Sequence, residues 1–325
     1  MKALVTGING FIGSYLPEYL RAKDIEVFGT FHDTNIKNIA HIKDKINLMK
    51  CDVRDQAAVR RAVKRSDPDI IFHLAAQSRP DVSWVDPVGT METNVMGTVY
   101  LFEAIRHLEI DPKVLVAGSS AEYGLIKKNE PPIKEEHPLL PVSPYGVSKV
   151  AQDLMAYQYY KNYGLKTFRV RIFGATGPRK VGDACSDFCR QIVKIERGEA
   201  EPVIRVGNLK VIRDLMDIRD TLDAFWALLE KGKVGDVYNV CSSKPVKIGD
   251  ILQTLLRISG VRAKIKVDPE KFRPTDEPVV VGDNGKIKRE CGWRPRVPLE
   301  KTLTETLGYW RKATVSVTSA LRRKG

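Results

Sequence analysis

Residues 2–13 read KALVTGINGFIG, an apolar run closed by Thr6 and followed by glycines at 7, 10 and 13. The run predicts a short buried strand, and Phe11 and Ile12 begin the apolar face of a helix. Each glycine has a separate reason to be there. Gly7 permits a tight turn, Gly10 lets backbone amides approach a pyrophosphate, and Gly13 lets helix and strand pack closely. The pattern is weak wherever glycines merely punctuate loops, but here it lies between a strand and a helix, the context that dinucleotide binding requires.

Working outward, the runs IEVFGT, INLMKCD, DIIFHLAA, KVLVAGSS and LKTFRVRIFG alternate with helical patterns near 11–22, 55–65, 87–109 and 144–162. Near-continuous apolar strands separated by amphipathic helices predict a doubly wound parallel α/β sheet, a Rossmann fold. After Gly174 the rhythm breaks. Helices near 184–197, 219–231 and 247–257 alternate with PVIRVGN, DVYNVCS and KIKVDP, and a Pro-rich stretch follows. We therefore expect a dinucleotide-binding domain over 1–174, a smaller mixed substrate lobe over 175–312 with segments returning to the main sheet, and a basic tail over 313–325.

The chain has 325 residues, 43% apolar and 29% charged, with no apolar stretch long enough to span a bilayer. A soluble cytoplasmic protein is the expectation. Five scattered cysteines match neither a disulfide framework nor a metal-ligand spacing, so no metal site is expected. The net charge of +13 is uneven: residues 1–150 hold 19 basic and 19 acidic side chains, residues 151–325 hold 34 and 21. The second half should meet an anion. No aromatic-interleaved basic stripe supports nucleic acid, and a small phosphorylated ligand fits the excess as well.

At the end of the second strand an acid would bind the ribose of NAD, but Gly29, Thr30, Phe31 and His32 stand there. That leans toward NADP, with NAD possible. Tyr145 and Lys149 are four apart on a helix and share a face. An ammonium beside a phenol should lower the phenol's pKa and make it a usable acid and base. Ser119, just past a strand, would supply a hydroxyl for the reacting oxygen.

TGINGFIG, CDVRD, HLAAQS, GSSAEYG, SPYGVSK, VGNLKVIRD and DVYNVCS together resemble the extended short-chain dehydrogenase/reductases that act on nucleotide sugars. Within them RVGNLKVIRDLMDIRD and GWRPRVPLEKTL are most similar to the branch of GDP-mannose 4,6-dehydratases and GDP-4-keto-6-deoxy-D-mannose reductases. The resemblance implies that Gly7, Gly10, Phe11, Ile12, Gly13, Asp52, Val53, Leu74, Ala75 and Ala76 hold the cofactor. It makes Ser119, Tyr145 and Lys149 the catalytic set, Tyr145 and Lys149 also touching the cofactor. Ser78, Ser119, Glu122, Tyr145, Asn208, Arg213 and Arg273 would bind the nucleotide sugar. It also implies a homodimer, pairing the helix near 87 with the one starting at Pro144 into a four-helix bundle.

Two positions depart from the family pattern. Dehydratases place an active-site glutamate where this chain has Ala121, and Glu122, one residue along, should point the other way. Gly174 stands where the family commonly has an Asn that contacts the sugar diphosphate, and Arg179 or Lys180 would have to compensate. A reductase of a 4-keto-6-deoxy nucleotide sugar is the leading expectation. GDP-mannose 4,6-dehydratase, a nucleotide-sugar 4-epimerase and a non-catalytic dinucleotide sensor are the alternatives.

Overall fold

The computed structural model describes all residues except 34, 128, 129, 131, 273–276 and 323–325, and the side chains of 314–325 are also outside it. The first six strands are β1 (Lys2–Thr6), β2 (Glu26–Phe31), β3 (Asn47–Lys50), β4 (Ile70–His73), β5 (Lys113–Ala117) and β6 (Lys166–Ile172). There follow β7 (Gly174–Thr176), β8 (Val203–Val206), β9 (Ile212–Asp217), β10 (Val237–Val240), β11 (Pro245–Lys247), β12 (Lys264–Val267) and β13 (Val279–Val280).

One seven-stranded sheet runs in the order β10-β6-β5-β4-β1-β2-β3, with every pair parallel. Its central strands are buried on both faces, as near-continuous apolar runs require. β10 comes from beyond the break in rhythm and joins the edge at β6, with Tyr238 and Val240 fully buried. β9 forms a small sheet with β7, β11 and β13, and β8 pairs with β12. Phe188, Ile192, Ile204, Val206, Leu252 and Leu255 give these later elements a core of their own.

The helices are α1 (Leu16–Arg21), α2 (Gln56–Ser66), α3 (Pro80–Val85), α4 (Pro87–Met91), α5 (Gly97–His107), α6 (Pro144–Tyr163), α7 (Ala184–Glu196), α8 (Ile218–Lys231), α9 (Ile248–Ser259), α10 (Gly285–Cys291) and α11 (Leu299–Arg322). Two differ from the sequence reading. The helix expected near 11–22 is regular only from Leu16, because residues 11–15 form tighter turns. The one expected near 87–109 is interrupted by a π turn at Glu92–Met96, which sets Asn94 fully inside the protein.

α6 forms because Ser143 caps it, accepting the Gly146 amide at 3.1 Å, while Pro144 suits its first turn and Gly164 ends it in the left-handed region. Its buried stripe is polar, comprising Tyr145, Ser148, Lys149, Gln152 and Asp153, whereas Val147, Leu154 and Tyr157 are exposed. The first three turns are inverted relative to an ordinary amphipathic helix, while Ala156 and Tyr159 further along are buried in the apolar core.

Candidate active site

The carboxyl ends of β1, β3, β4 and β5 converge on one edge of the sheet, where open α/β sheets place ligands. Gly7 has φ +69°, and a Cβ there would lie 2.9 Å from the Ala75 Cα. A Cβ on Gly13 would lie 2.3 Å from the Gly7 carbonyl oxygen, so the turn closes only without a side chain. Phe11 and Ile12 lie in this turn, half-buried. Leu74 and Ala75 donate their amides to the Thr6 hydroxyl at 3.1 and 3.0 Å, which fixes the chain through Ala76 beside the glycines.

Beyond β3, Asp52 accepts from the Arg54 amide and guanidinium, and Arg54 holds its carboxyl below the usual range. Val53 is buried against Gly97. Ser78 is exposed just before α3.

Ser119 leaves β5 in an extended conformation and caps a short turn over Ser120–Glu122, its hydroxyl accepting the Ala121 amide at 3.1 Å. The same hydroxyl lies beside the Tyr145 phenol and favours its ionised form. Lys149 lies one helical turn along, its ammonium 5.9 Å from the centre of the Tyr145 ring. Ser119, Tyr145 and Lys149 are thus brought together. The expected effect of Lys149 on the phenol is corrected: burial pushes Tyr145 up to about 12, and the neighbouring Ser119 side chain, not Lys149, opposes that shift. Lys149 instead donates to the Ala117 carbonyl and to Gln152 Oε1, each at 2.8 Å, and burial brings its own pKa down to about 8.

A buried chain of partners behind Lys149 escapes sequence reading. Gln152 donates to Thr98 Oγ1 at 2.8 Å, Thr98 meets His73 Nε2 at 2.9 Å, and His73 Nδ1 meets Thr6 Oγ1 at 2.9 Å. Thr6 already accepts two amides, so its proton goes to Nδ1 and His73 carries its own on Nε2. Burial brings His73 down to about 3 and keeps it neutral. Asn94 fastens the neighbouring turn, donating to Ser148 Oγ at 2.8 Å and to the Gln77 carbonyl at 3.0 Å.

The Glu122 expectation is also corrected. Its side chain has no exposed surface, accepting from the Ser119 amide at 2.6 Å and pairing with Arg171 at 3.0 Å, so it offers nothing to a substrate. The S-x-x-E spacing of a capping box was the legible signal. In the lobe, Asn208 Oδ1 accepts the Lys210 amide at 3.0 Å. Arg213 donates to the Ile212 and Glu277 carbonyls at 2.9 and 2.7 Å. Arg273 lies outside the described residues. Arg179 cannot stand in for the missing Asn, because its guanidinium is committed to Glu18 and to the Ser14 carbonyl, each at 2.9 Å, and stacks on Tyr15. Among the described residues no group of acidic, His or Cys side chains could hold a metal, and no helix is long and apolar enough to cross a membrane.

Comparison with known proteins adds a second line of argument. GDP-6-deoxy-D-mannose reductase of Pseudomonas aeruginosa is 28% identical over 95% of this chain and 97% of its own. GDP-mannose 4,6 dehydratase 2 of Arabidopsis thaliana is 32% identical over 92% and 84%. The structure of RMD from Pseudomonas aeruginosa complexed with NADPH superposes with a TM-score of 0.84 at 28% identity, covering 96% of this chain and 99% of that one. UDP-glucose 4-epimerase of Thermotoga maritima, solved with UDP-glucose, gives 0.88 at 26%, covering 97% and 100%. The family model described as GDP-mannose 4,6 dehydratase matches residues 4–306. With the glycine turn and the Ser119, Tyr145 and Lys149 cluster in place, the chain belongs to that family, among the extended short-chain dehydrogenase/reductases.

Proposed function

We propose that the chain reduces the 4-keto group of a 4-keto-6-deoxy nucleotide sugar, GDP-4-keto-6-deoxy-D-mannose, with NADPH. The observation that carries this reading is the fate of the loop's carboxylate. Elimination at the sugar needs an acid facing the substrate. Position 121 is alanine, and Glu122 is sealed inside the protein against Arg171. Reduction of a ketone requires no such group.

The residues present fit the cofactor. Gly7, Gly10 and Gly13 leave a side-chain-free turn for its diphosphate, and the family resemblance assigns the adenine to Asp52 and Val53, just beyond β3. Asp33 Oδ1 is taken up by Asn9 Nδ2 and the Asn35 amide, each at 2.9 Å, which with the missing strand-end acid favours NADPH over NADH. When bound, the cofactor supplies the hydride to the ketone carbon.

Ser119 polarises the ketone oxygen, and Tyr145 donates the phenolic proton to it as negative charge develops there. A phenol raised to about 12 is fully protonated at neutral pH, the form a reductase needs. Lys149, with its pKa brought down to about 8 by burial and held by Ala117 and Gln152, supplies positive charge beside the phenolate that results. Asn208, Arg213 and Arg273 are the residues we assign to the diphosphate of the sugar nucleotide.

The test supplies purified protein with GDP-mannose and NADP+, and separately with GDP-4-keto-6-deoxymannose and NADPH or NADH. Consumption of NADPH only with the keto sugar is the expected result. Loss of water from GDP-mannose without net cofactor consumption would establish the dehydratase instead.

A further inference from the structure

Beneath the catalytic loop lies a cluster of buried charges that the proposed chemistry does not use. Glu122, Asp153 and Arg171 are 0%, 2% and 4% exposed. Arg171 uses all three of its nitrogens: Nε on Glu122 at 3.0 Å and Asp153 at 2.9 Å, Nη2 on Asp153 at 2.6 Å, and Nη1 on the Tyr123 hydroxyl and the Glu135 carbonyl at 3.0 and 2.9 Å. Arg169 Nη1 reaches the other Asp153 oxygen at 2.8 Å. Burial and the Asp153 charge both push the Glu122 carboxyl up, and Arg171 opposes them. Keeping such groups indoors is costly unless each is paired.

The cluster bonds directly to Ser119 and shares α6 with Tyr145 and Lys149. Glu122 Oε1 accepts the Ser119 amide, and Asp153 lies one helical turn beyond Lys149 on the stripe of α6 that carries Tyr145. The surrounding backbone is shaped for it. A Cβ on Gly118 would sit 2.4 Å from Glu122 Oε1, and one on Gly146, in the first turn of α6, 2.6 Å from the Ala121 carbonyl oxygen. Loop and helix are therefore in contact without side chains between them.

We infer that Glu122, Arg171 and Asp153 form a bracket that holds the Ser119 hydroxyl in register with the Tyr145 phenol, with Glu122 a positioning residue acting through Ser119. The inference rests on the role given to Ser119 above. It assigns to Glu122 a function different in kind from the acid and base work of a dehydratase glutamate: the carboxylate never meets the sugar, and it sets the geometry of the group that does.

A double-mutant cycle separates positioning from general support of the fold. Kinetics of Ser119→Ala, Glu122→Gln and the double variant are followed by nicotinamide absorbance. Dissociation constants for NADPH and GDP are measured by calorimetry. Glu122→Gln should lower kcat on the order of ten- to a hundredfold, as expected for a misplaced reacting group. KM and both dissociation constants should stay unchanged, and the loss should vanish once the Ser119 hydroxyl has been removed by Ser119→Ala. Gly118→Ala, which displaces the carboxylate while leaving every charge in place, should reproduce the effect and covers the case in which Glu122→Gln fails to fold. Equal losses from Glu122→Gln with and without the Ser119→Ala substitution, or weakened binding with kcat unchanged, would overturn the inference. A chain that dehydrates GDP-mannose would sink the proposed reduction, and the cycle is then run on that turnover, where the same prediction for Ser119 applies.

Discussion

At the scale of single residues, Tyr145 and Lys149 show burial outweighing proximity. The four-residue spacing of Tyr145 and Lys149 places them on one face, as the sequence implies, but spacing alone does not reveal where the ammonium points. The Ala117 carbonyl and Gln152 come from a strand and from the next turn of the same helix, and together they hold the ammonium 5.9 Å from the centre of the phenol ring. The consequence is measurable. In the reductive direction kcat/KM should fall as pH rises through about 8, where Lys149 loses its proton, well before Tyr145 does. Substituting Lys149→Met should remove that alkaline limb along with most of the activity. A limb that survives the substitution would assign it to another group. Glu122 teaches the same lesson from the other side: its capping spacing is visible in GSSAEYG, but its partner Arg171 lies 49 positions on and could not be paired with it by inspection.

At the scale of elements, the strands and long helices were legible because their apolar periodicities are strong and their ends carry Pro, Ser and Gly signals. The π turn at Glu92–Met96 was not, since it depends on Asn94 finding partners in Gln77 and Ser148, far from it in the chain. Gly174 belongs to this scale as well. Its missing side chain looks like the loss of a ligand, yet the structure fills the space. A Cβ there would lie 2.5 Å from the Asp214 carbonyl oxygen and 2.4 Å from Leu215 Cδ2. β9 cannot simply recede, because the Asp214 carboxylate accepts from the Ser242 amide and hydroxyl and from the amides of Ser243 and Gly282. Restoring the family residue with Gly174→Asn should therefore destabilise the protein by about 1–3 kcal/mol. It would be read as a lower denaturation midpoint at constant m. An unchanged midpoint would mean that β7 and β9 separate readily and that the position can carry a substrate ligand after all.

For the whole molecule, the inverted character of α6 is the feature that calls for a partner. Val147, Leu154 and Tyr157 on α6 are 44%, 50% and 40% exposed, and Val88 and Met96, on the helical segments before α5, are 67% and 41% exposed. Apolar residues gathered on two adjacent helices are what a homodimer built as a four-helix bundle would cover. Light scattering should give the mass of a dimer for the native chain and of a monomer for Leu154→Asp combined with Tyr157→Asp. A native monomer would leave this face to another role. In the sequence, LMAYQYYKNYG on α6 has enough apolar and aromatic residues for such a bundle but would serve equally as core, and only the three-dimensional burial separates the two readings.

The pairing of β10 with β6 also bears on the order of events during synthesis. The ribosome delivers β1 to β6, the glycine turn and Ser119, Tyr145 and Lys149 before it has made any of β8, β9 or α8. At that moment the sheet has an unpaired border along β6, since its last strand is still to be translated. The nascent half that carries the glycine turn must wait, unsealed, for β7 to α8 to be made before β10 can close its edge. Closure of the main sheet is thus timed by the appearance of the later elements rather than preceding it.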